Sequence, residues 1–183
     1  MPRQMCASYT GRAPMTQAKT FGIVGWKNSG KTTLIVALVN EFVRRGLRVS
    51  TIKHAHHEFD IDIPSKDSHR HRLAGATEVL VASGSRWALM HELRGAPTPC
   101  LADLVSRLAP CDLILVEGFK ADTHPKIEAA HNHEPGRLIA DQDASVLAIV
   151  TDRPGLASNR LTFAFDDVGS IVDFISEACD IAR

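Results

Sequence analysis

A run of glycine, lysine and threonine near the start of the chain has the composition and spacing of a phosphate-binding loop. Residues 25–33 read Gly-Trp-Lys-Asn-Ser-Gly-Lys-Thr-Thr, which matches the pattern G-x-x-x-x-G-K-[ST]. Gly25 and Gly30 let the backbone close round an anion without a Cβ in the way. Lys31 supplies a charge that reaches the β- and γ-phosphates, and the Thr32 hydroxyl can ligate Mg²⁺. The run therefore predicts binding of a nucleoside triphosphate.

The loop can work only if a strand precedes it and a helix follows it. The apolar residues 20–24 predict the strand, and the helical period from Lys31 to about Arg45 predicts the helix. N–H groups of the loop and of the first helical turn then point at the phosphates, aided by the helix dipole. The predicted nucleotide-binding residues of this segment are Gly25, Lys27, Asn28, Ser29, Gly30, Lys31, Thr32 and Thr33. The predicted buried stripe of the helix is Leu34, Ile35, Leu38, Val39, Phe42 and Val43.

A carboxylate at the end of a second buried strand supplies the other half of such a site. Residues 113–116 are continuously apolar, and Glu117 follows where the strand emerges. We expect Glu117 to act with Thr32 on Mg²⁺, directly or through a water, or else to position the attacking water. Glu117 and Lys31 are the predicted catalytic residues, and an ordinary strand-end carboxylate is the alternative. Gly118 leaves room for the backbone to approach the γ-phosphate, so we predict that it contacts the nucleotide.

Selectivity for guanine rests on one residue near the end of a late strand. Residues 146–150 predict that strand, and Asp152 follows it closely. A carboxylate there can accept hydrogen bonds from guanine N1–H and the exocyclic amine, which adenine cannot offer together. The alternative is that Asp152 initiates a turn before Pro154.

The polar loop after the second strand offers carboxylates and imidazoles. Any of Asp60, Asp62 and Asp67 could approach Mg²⁺, although acidic loop residues are usually only solvated. The histidines of this region could form a transition-metal site beside acidic residues. Their spacing matches no tetrahedral template, so polar loop residues near an anionic ligand are the favoured interpretation. These histidines are His54, His56, His57, His69 and His71.

Composition excludes several classes of function. The 21 basic and 21 acidic residues cancel, so no basic field attracts nucleic acid or an anionic membrane. Aromatic residues make up only 5% of the chain, which argues against base-stacking platforms. No apolar run is long enough to span a bilayer. The four cysteines form no C-x-x-C pair and indicate a reduced, cytoplasmic protein.

Strand and helix patterns alternate from residue 20 onward, which predicts an α/β fold. We expect a mostly parallel sheet with helices on both faces, the three-layer arrangement of P-loop nucleoside triphosphatases. Residues 20–183 are predicted to form a single nucleotide-binding domain. Residues 1–19 are predicted to be a disordered N-terminal extension, with Met15 as a second candidate start.

Several sequence blocks, occurring in order, resemble the molybdopterin-guanine dinucleotide biosynthesis adaptor protein B (MobB) family. The similarity extends from about Thr20 to Asp152. The phosphate loop is shared by many families, whereas Arg-Trp-Ala-Leu-Met at 86–90 and Val-Glu-Gly-Phe-Lys at 116–120 are more specific. The other blocks are Lys-His-Ala-His-His at 53–57, Lys-Asp-Ser at 66–68, Ala-Ser-Gly-Ser at 82–85 and Pro-Lys-Ile-Glu at 125–128.

The resemblance implies a homodimeric GTP-binding protein with weak GTPase activity and GTP and Mg²⁺ as ligands. Such proteins assist the guanylyltransferase (MobA-type) that joins GMP to molybdopterin, which makes that enzyme and molybdopterin candidate partners. It also implies that Lys31 and Thr32 hold the triphosphate and Mg²⁺, with Glu117 at the γ-phosphate. Dimerising nucleotide switches often carry a lysine just after the first loop glycine. Trp26 occupies that position here and Lys27 follows, which fits slow hydrolysis.

Two other functions remain open at this stage. A nickel-insertion metallochaperone GTPase would use His54, His56 and His57 as metal ligands. A small-molecule kinase would use Glu117 or a loop aspartate as a base for an acceptor hydroxyl. The kinase alternative is weakened because the arginines available for a lid are isolated. They are Arg70, Arg72, Arg86 and Arg94.

Overall fold

The computed structural model describes residues 18–55, 59–131, 137–153 and 159–181. Its chain divides into two compact units. The main unit comprises the chain up to Lys53 and from Leu108 onward, and the inserted unit comprises residues 54–107. A single domain over residues 20–183 stays a prediction. Residues 1–17 of the predicted extension lie outside the described residues, whereas Lys19 already begins the first strand.

The main unit is built on a six-stranded sheet in the order β2-β5-β1-β6-β7-β8, and every neighbouring pair is parallel. Its strands are β1 (Lys19–Val24), β2 (Val49–Lys53), β5 (Leu113–Glu117), β6 (Lys126–Ala130), β7 (Val146–Thr151) and β8 (Leu161–Phe163). Its helices are α1 (Lys31–Arg44), α4 (Val168–Ala178) and a 3-10 turn, Ile139–Asp141. The α/β class and the mostly parallel sheet are thus confirmed.

The inserted unit contains α2 (Asp67–Leu73), α3 (Leu101–Ser106) and the antiparallel pair β3 (Glu78–Ala82) and β4 (Trp87–His91). The apolar runs at 77–82 and 86–91, separated by Ser-Gly-Ser, predict this hairpin to within one residue at each strand start. In the turn, the Ser83 amide donates to the Arg86 carbonyl at 2.9 Å. The sequence also predicts a helix over about 101–108, and the observed helix is shorter and ends at Ser106.

The two faces of the main sheet pack different cores because side chains alternate along each strand. Phe21 and Ile23 of β1 lie in the larger core, which also contains apolar residues of α1 and α4. Val24 lies in a smaller core with Leu138 and Ala140. Between β2 and β1, β5 is buried at all four apolar positions, as its continuous apolar sequence predicts.

The helix α1 follows the predicted stripe with one exception. Leu34, Leu38 and Phe42 are buried, but Val43 is 55% exposed. Val43 follows Phe42 by one residue, a rotation of about 100° that takes it off the buried stripe. Gly46 adopts φ 88 just beyond the helix, a position and conformation typical of a C-terminal cap. The sequence predicts a second strand over 47–53, and the observed strand begins at Val49.

Two strands, β6 and β8, were missing from the predicted pattern. In β6, Lys126 and Glu128 interrupt the apolar residues, yet all five positions of the strand are buried. The alternation of charged and apolar residues is typical of a half-exposed strand, whereas β6 lies inside the sheet. The strand β8 has only three residues, which is too short for a periodic signal. No helix among the described residues is long and apolar enough to cross a membrane.

Candidate functional site

The phosphate loop joins β1 to α1 at the carboxyl end of the central strand. Gly25 adopts φ 148, and a Cβ there would lie 2.4 Å from the Ala129 carbonyl oxygen and 2.4 Å from the Ser29 hydroxyl. Gly30 adopts φ 87, and a Cβ there would lie 2.8 Å from the Phe165 ring. Both positions therefore require glycine on two grounds, the positive φ and the lack of space. Asn28 supplies a third left-handed residue at φ 61, which asparagine tolerates better than most side chains do.

Lys31 is the first residue of α1, and its ammonium folds back over the phosphate loop. Its Nζ donates to the carbonyls of Trp26 at 2.5 Å and Gly25 at 3.2 Å, and it lies 3.4 Å from the Ser29 hydroxyl. Burial lowers the pKa of Lys31, Glu117 raises it, and Lys120 and Lys53 lower it further. A cation held by backbone carbonyls over a glycine-rich turn is placed to meet a phosphate.

Thr32 and Glu117 form a residue pair that could hold a divalent cation. The Thr32 hydroxyl donates to Glu117 Oε1 at 3.5 Å, and the Lys53 ammonium lies 3.1 Å from the same oxygen. Only 13% of the Glu117 side chain is exposed. Mg²⁺ prefers oxygen ligands and usually takes one or two from the protein, with waters and phosphates completing the set. The hydroxyl and carboxylate therefore fit Mg²⁺, and Lys53 neutralises the carboxylate at the same place.

Parallel pairing explains how these groups meet. Lys53 on β2 and Ile23 on β1 are both register partners of Glu117 on β5. The carboxyl ends of parallel strands share one edge of the sheet, and ligands bind at that edge in open α/β folds. Gly118 continues from β5 at φ 95, and its amide donates to the Ile23 carbonyl at 3.2 Å. Its amide is thus engaged within the protein, and contact with the γ-phosphate stays a prediction.

Asp152 follows β7 at the same edge, on the other side of the loop. One of its carboxylate oxygens lies 3.2 Å from His131 Nδ1. The His131 amide donates to the Ser29 carbonyl at 3.2 Å, and its ring meets Phe165 edge to face at 5.7 Å. The residue predicted to select guanine is thereby connected to the phosphate loop through a histidine.

The remaining predicted residues of the phosphate loop are Lys27, Asn28, Ser29 and Thr33. Lys27, Asn28 and Thr33 are exposed, whereas Ser29 is buried. The Ser29 amide donates to the Trp26 carbonyl at 3.3 Å, which closes the turn. Their roles in nucleotide binding stay predictions.

Within the inserted unit, two of the candidate carboxylates in the loop after β2 form ion pairs with one arginine. The Arg72 guanidinium pairs with Asp60 at 2.8 Å, Asp62 at 3.2 Å and Glu92 at 2.8 Å. The Asp62 amide lowers the pKa of Asp60, with help from Arg72. The Ser68 hydroxyl lowers the pKa of Asp62, and Arg72 adds to that effect. These contacts bind the loop to α2, which is a structural task. Asp67 lies in the first turn of α2.

The histidines and arginines bear on the two alternative functions. Among the described residues, no three His, Cys, Asp or Glu side chains are grouped so as to hold a metal ion. His56 and His57 of the predicted cluster lie outside the described residues. Of the arginines weighed for a kinase lid, Arg72 is held by three carboxylates, and Arg94 donates to the Arg72 carbonyl at 2.7 Å.

Sequence reasoning missed four residues around the loop. They are Lys53, Lys120, Lys126 and His131. A single lysine in a polar segment is usually solvated, so the sequence gives no sign that Lys53 pairs with Glu117. The block Pro-Lys-Ile-Glu was a signal for Lys126, but the pattern did not show that this lysine is buried.

The sheet order, the glycine-rich loop after β1 and the carboxylate after β5 define a P-loop protein with a nucleotide-binding α/β fold. A family model described as "Molybdopterin guanine dinucleotide synthesis protein B" (MobB) matches residues 20–152. The chain belongs to the MobB family.

Relatives and solved structures agree with this assignment. The chain is 39% identical to the "Molybdopterin-guanine dinucleotide biosynthesis adapter protein" of Haemophilus influenzae, over 87% of this chain and 88% of the relative. It is 38% identical to the protein of that name from Escherichia coli, over 90% of this chain and 95% of the relative. A crystal structure described as molybdopterin-guanine biosynthesis protein B superposes with a TM-score of 0.70 at 28% identity, covering 86% of this chain and 98% of that one. A MobB homolog from Bacillus stearothermophilus gives 0.67 at 26% identity, covering 89% and 99%.

Proposed function

We propose that this protein is a GTP-binding adaptor that assists the attachment of GMP to molybdopterin in molybdenum cofactor biosynthesis. The observation that carries the proposal is a complete phosphate loop, with Thr32 and Glu117 beside it, in a chain of the MobB family. The names of two relatives at 38% and 39% identity, both adapter proteins of molybdopterin-guanine dinucleotide biosynthesis, support the adaptor role. We further propose that the protein acts in the cytoplasm, which the free Cys100, Cys111 and Cys179 support.

In this proposal each group at the sheet edge has one task. Lys31 and the loop amides hold the phosphates, with Lys31 moving from the Trp26 and Gly25 carbonyls onto the anion. When Mg²⁺ is bound, it supplies charge neutralisation between the phosphates. Thr32 and Glu117 are the residues that would hold it. Asp152, oriented by His131, accepts hydrogen bonds from the guanine edge.

Slow hydrolysis follows from the surroundings of Glu117. The Lys53 ammonium lies 3.1 Å from Glu117 Oε1, so a cation already holds this carboxylate and it is not free to orient an attacking water. The proposal therefore treats GTP chiefly as a ligand that sets the state of the adaptor. Weak GTPase activity accompanies that role.

Exposed apolar side chains support a role in protein assembly. In the β3–β4 hairpin, Leu80, Trp87 and Leu89 are exposed on one face, and Val81 is exposed on the other. Contiguous exposed apolar surface marks interaction sites more often than it occurs by chance. We propose that this surface serves the homodimer or the contact with the guanylyltransferase. Molybdopterin is a further candidate ligand of the assembly.

A reconstituted reaction tests the adaptor role. Purified guanylyltransferase, molybdopterin, GTP and Mg²⁺ are combined with the wild-type protein or with Lys31→Ala, and the dinucleotide product is measured. The wild-type protein should raise product formation, and Lys31→Ala should not. Equal product with and without the wild-type protein would contradict the proposal. Phosphorylation of an added small molecule at the expense of GTP would favour the kinase alternative.

A further inference from the structure

Trp26, the second residue of the phosphate loop, lies between two cations. The Lys120 ammonium is 4.4 Å from the centroid of its ring, and the Arg137 guanidinium carbon is 5.3 Å from it. The indole N–H donates to the Arg137 carbonyl at 2.6 Å, which fixes the orientation of the ring. Although it belongs to the loop, the Trp26 side chain is 44% exposed. An exposed aromatic face of this kind holds a cation only weakly, so the cation can be released to a stronger partner.

The backbone after β5 turns back so that Lys120 can reach the loop. Gly118 and Phe119 adopt φ 95 and φ 49 in succession, both in the left-handed region. Such a conformation is costly for phenylalanine and persists only where other contacts enforce it. Two consecutive left-handed residues redirect the chain immediately after Glu117, and Lys120 is the next residue.

A buried lysine enforces that turn. The Lys126 side chain is fully buried, and its Nζ donates to the Lys120 carbonyl at 3.2 Å and to the Asp122 carbonyl. Asp143 balances its charge at 3.1 Å. The position of the Lys120 backbone is thus set from inside the protein. Its side chain is left to the surface beside the phosphate loop.

The charges around the loop favour an anion. Lys31 Nζ contacts the Trp26 carbonyl, and Lys120 Nζ covers the ring of the same residue, so two ammonium groups share Trp26. Lys53 is the third cation, and Glu117 is the carboxylate that pairs with it. In the described part of the chain no carboxylate forms an ion pair with Lys120. Positive charge therefore exceeds negative charge at this edge of the sheet, and a bound polyphosphate would neutralise the excess.

We propose that Lys120 is a phosphate-binding residue of the nucleotide site, held on the Trp26 ring in the free protein and transferred to the triphosphate when it binds. The inference rests on the proposed function, because it assigns one more contact to the same nucleotide. Lys126 is the positioning residue that holds the Lys120 backbone for this transfer. Transfer of Lys120 away from the ring also makes Trp26 a reporter of binding.

The test uses the full chain with Trp87→Phe as background, so that Trp26 is the one remaining tryptophan. Lys120→Met removes the charge and keeps most of the stem, and Lys120→Arg keeps the charge. Lys19→Met is the matched control because Lys19 begins β1 and lies about 20 Å from the loop, given about 3.3 Å per strand residue. Affinities for GTP, GDP and GMP with Mg²⁺ are measured at two salt concentrations, together with Trp26 emission.

Lys120→Met should weaken GTP binding about tenfold, the usual effect of losing a hydrogen bond to a charged group. The loss should be smaller for GDP and absent for GMP, and the salt dependence of GTP binding should decrease. Lys120→Arg should restore affinity, and Lys19→Met should match the background. Nucleotide should change Trp26 emission in the background protein, and that change should be smaller in Lys120→Met.

Two results would overturn the inference while leaving the proposed function intact. One is unchanged GTP affinity in Lys120→Met, and the other is an equal loss for GTP, GDP and GMP, which a purely structural role would give. If the wild-type protein binds no GTP, or binds it equally well after Lys31→Ala, the proposed function itself fails. The two failures are therefore distinguishable in one set of titrations.

Discussion

The strands β5 and β6 flank β1 on opposite sides and carry their charged residues in opposite ways. In β5, the first four residues are apolar and buried, and the one charged residue, Glu117, is the last. Glu117 lies at the sheet edge, where it contacts Thr32 and Lys53. In β6, Lys126 and Glu128 are buried within the strand. Lys126 holds the loop that leads into β6, and Glu128 accepts the Ala140 amide at 2.9 Å. Charge at a strand end can serve a ligand, whereas charge within a buried strand holds neighbouring backbone in place.

The largest effect should follow from breaking the buried charge of β6. Lys126→Met leaves the Asp122 and Lys120 carbonyls and Asp143 without their cation, and it should lower the free energy of unfolding by about 3 kcal/mol. Urea unfolding followed by circular dichroism measures this change. Ile127→Val, one residue along β6, is the control and should cost about 1 kcal/mol. Equal effects of the two substitutions would mean that the buried lysine is not a structural tether.

Removing the loop lysine should affect the ligand and leave the fold stable. Lys31→Ala should weaken GTP binding at least 100-fold, about 2.7 kcal/mol. The free energy of unfolding without ligand should stay within about 0.5 kcal/mol of the wild-type value. Lys31 is partly desolvated in the folded state, and that cost offsets its hydrogen bonds to the loop carbonyls. Calorimetric titration and urea unfolding test the two halves. A destabilised Lys31→Ala protein would contradict the distinction between charges at the sheet edge, which bind the ligand, and charges inside the sheet, which stabilise the fold.

Glu117→Gln should show a smaller effect of the same kind. The amide keeps the shape of the carboxylate but loses most of its affinity for Mg²⁺, so the part of GTP affinity that depends on Mg²⁺ should fall about tenfold. Stability should change little, since the Lys53 partner is largely exposed. GTP binding is compared with Mg²⁺ and with EDTA. An equal loss under both conditions would place Glu117 outside the metal site.

Asp152→Ala tests the far side of the loop. It should reduce the preference for GTP over ATP about tenfold while phosphate binding persists, because we propose that the carboxylate contacts the guanine base and not the phosphates. His131→Ala should give a weaker effect in the same direction if His131 orients Asp152. Competition against a fluorescent guanine nucleotide gives the ratio. Retention of the full preference by Asp152→Ala would move guanine selection to another residue.

The smallest effect concerns pH and the approach to β6. Burial lowers the pKa of His124 below 6.5, Lys126 lowers it further, and Asp122 and Asp143 raise it. The folded state thus keeps His124 neutral while the unfolded state takes up a proton. Stability should therefore be complete above about pH 6.5 and should fall as the pH drops toward the folded pKa.

His124→Leu should make that decline shallower. Neither ring nitrogen of His124 has a hydrogen-bond partner within the described ranges, so leucine removes two unsatisfied buried atoms. Unfolding at pH 7.5 and 5.5 measures the difference, with His91→Gln in the inserted unit as control. A steeper decline in His124→Leu would contradict the assignment.

The same contrast between β5 and β6 explains how far the sequence alone could lead. The phosphate loop, β5 and α1 have patterns in which local preference and burial agree, and they were predicted within a few residues. The sequence offers Asp166 and Asp167 as caps for α4, and the Asp167 carboxylate accepts the Ser170 amide at 3.3 Å. In these segments each residue type matches its own environment.

The sequence failed where a residue's role depends on distant partners. The burial of Lys126 is tolerable only because the carbonyls of Lys120 and Asp122 and the carboxylate of Asp143 surround it. Lys53 meets Glu117 through the pairing of β2 with β5, which no local pattern encodes. Asp60 and Asp62 pair with Arg72 within the inserted unit, a contact that no local pattern encodes, and their approach to Mg²⁺ stays a prediction.

We propose that the sheet edge formed by the phosphate loop, β5 and β7 binds GTP in preference to ATP. Competition of GTP and ATP against a fluorescent guanine nucleotide in the presence of Mg²⁺, with Lys31→Ala as control, tests this preference. GTP should displace the probe at concentrations at least tenfold lower than ATP, and the probe should not bind to Lys31→Ala. Equal or stronger displacement by ATP would contradict it.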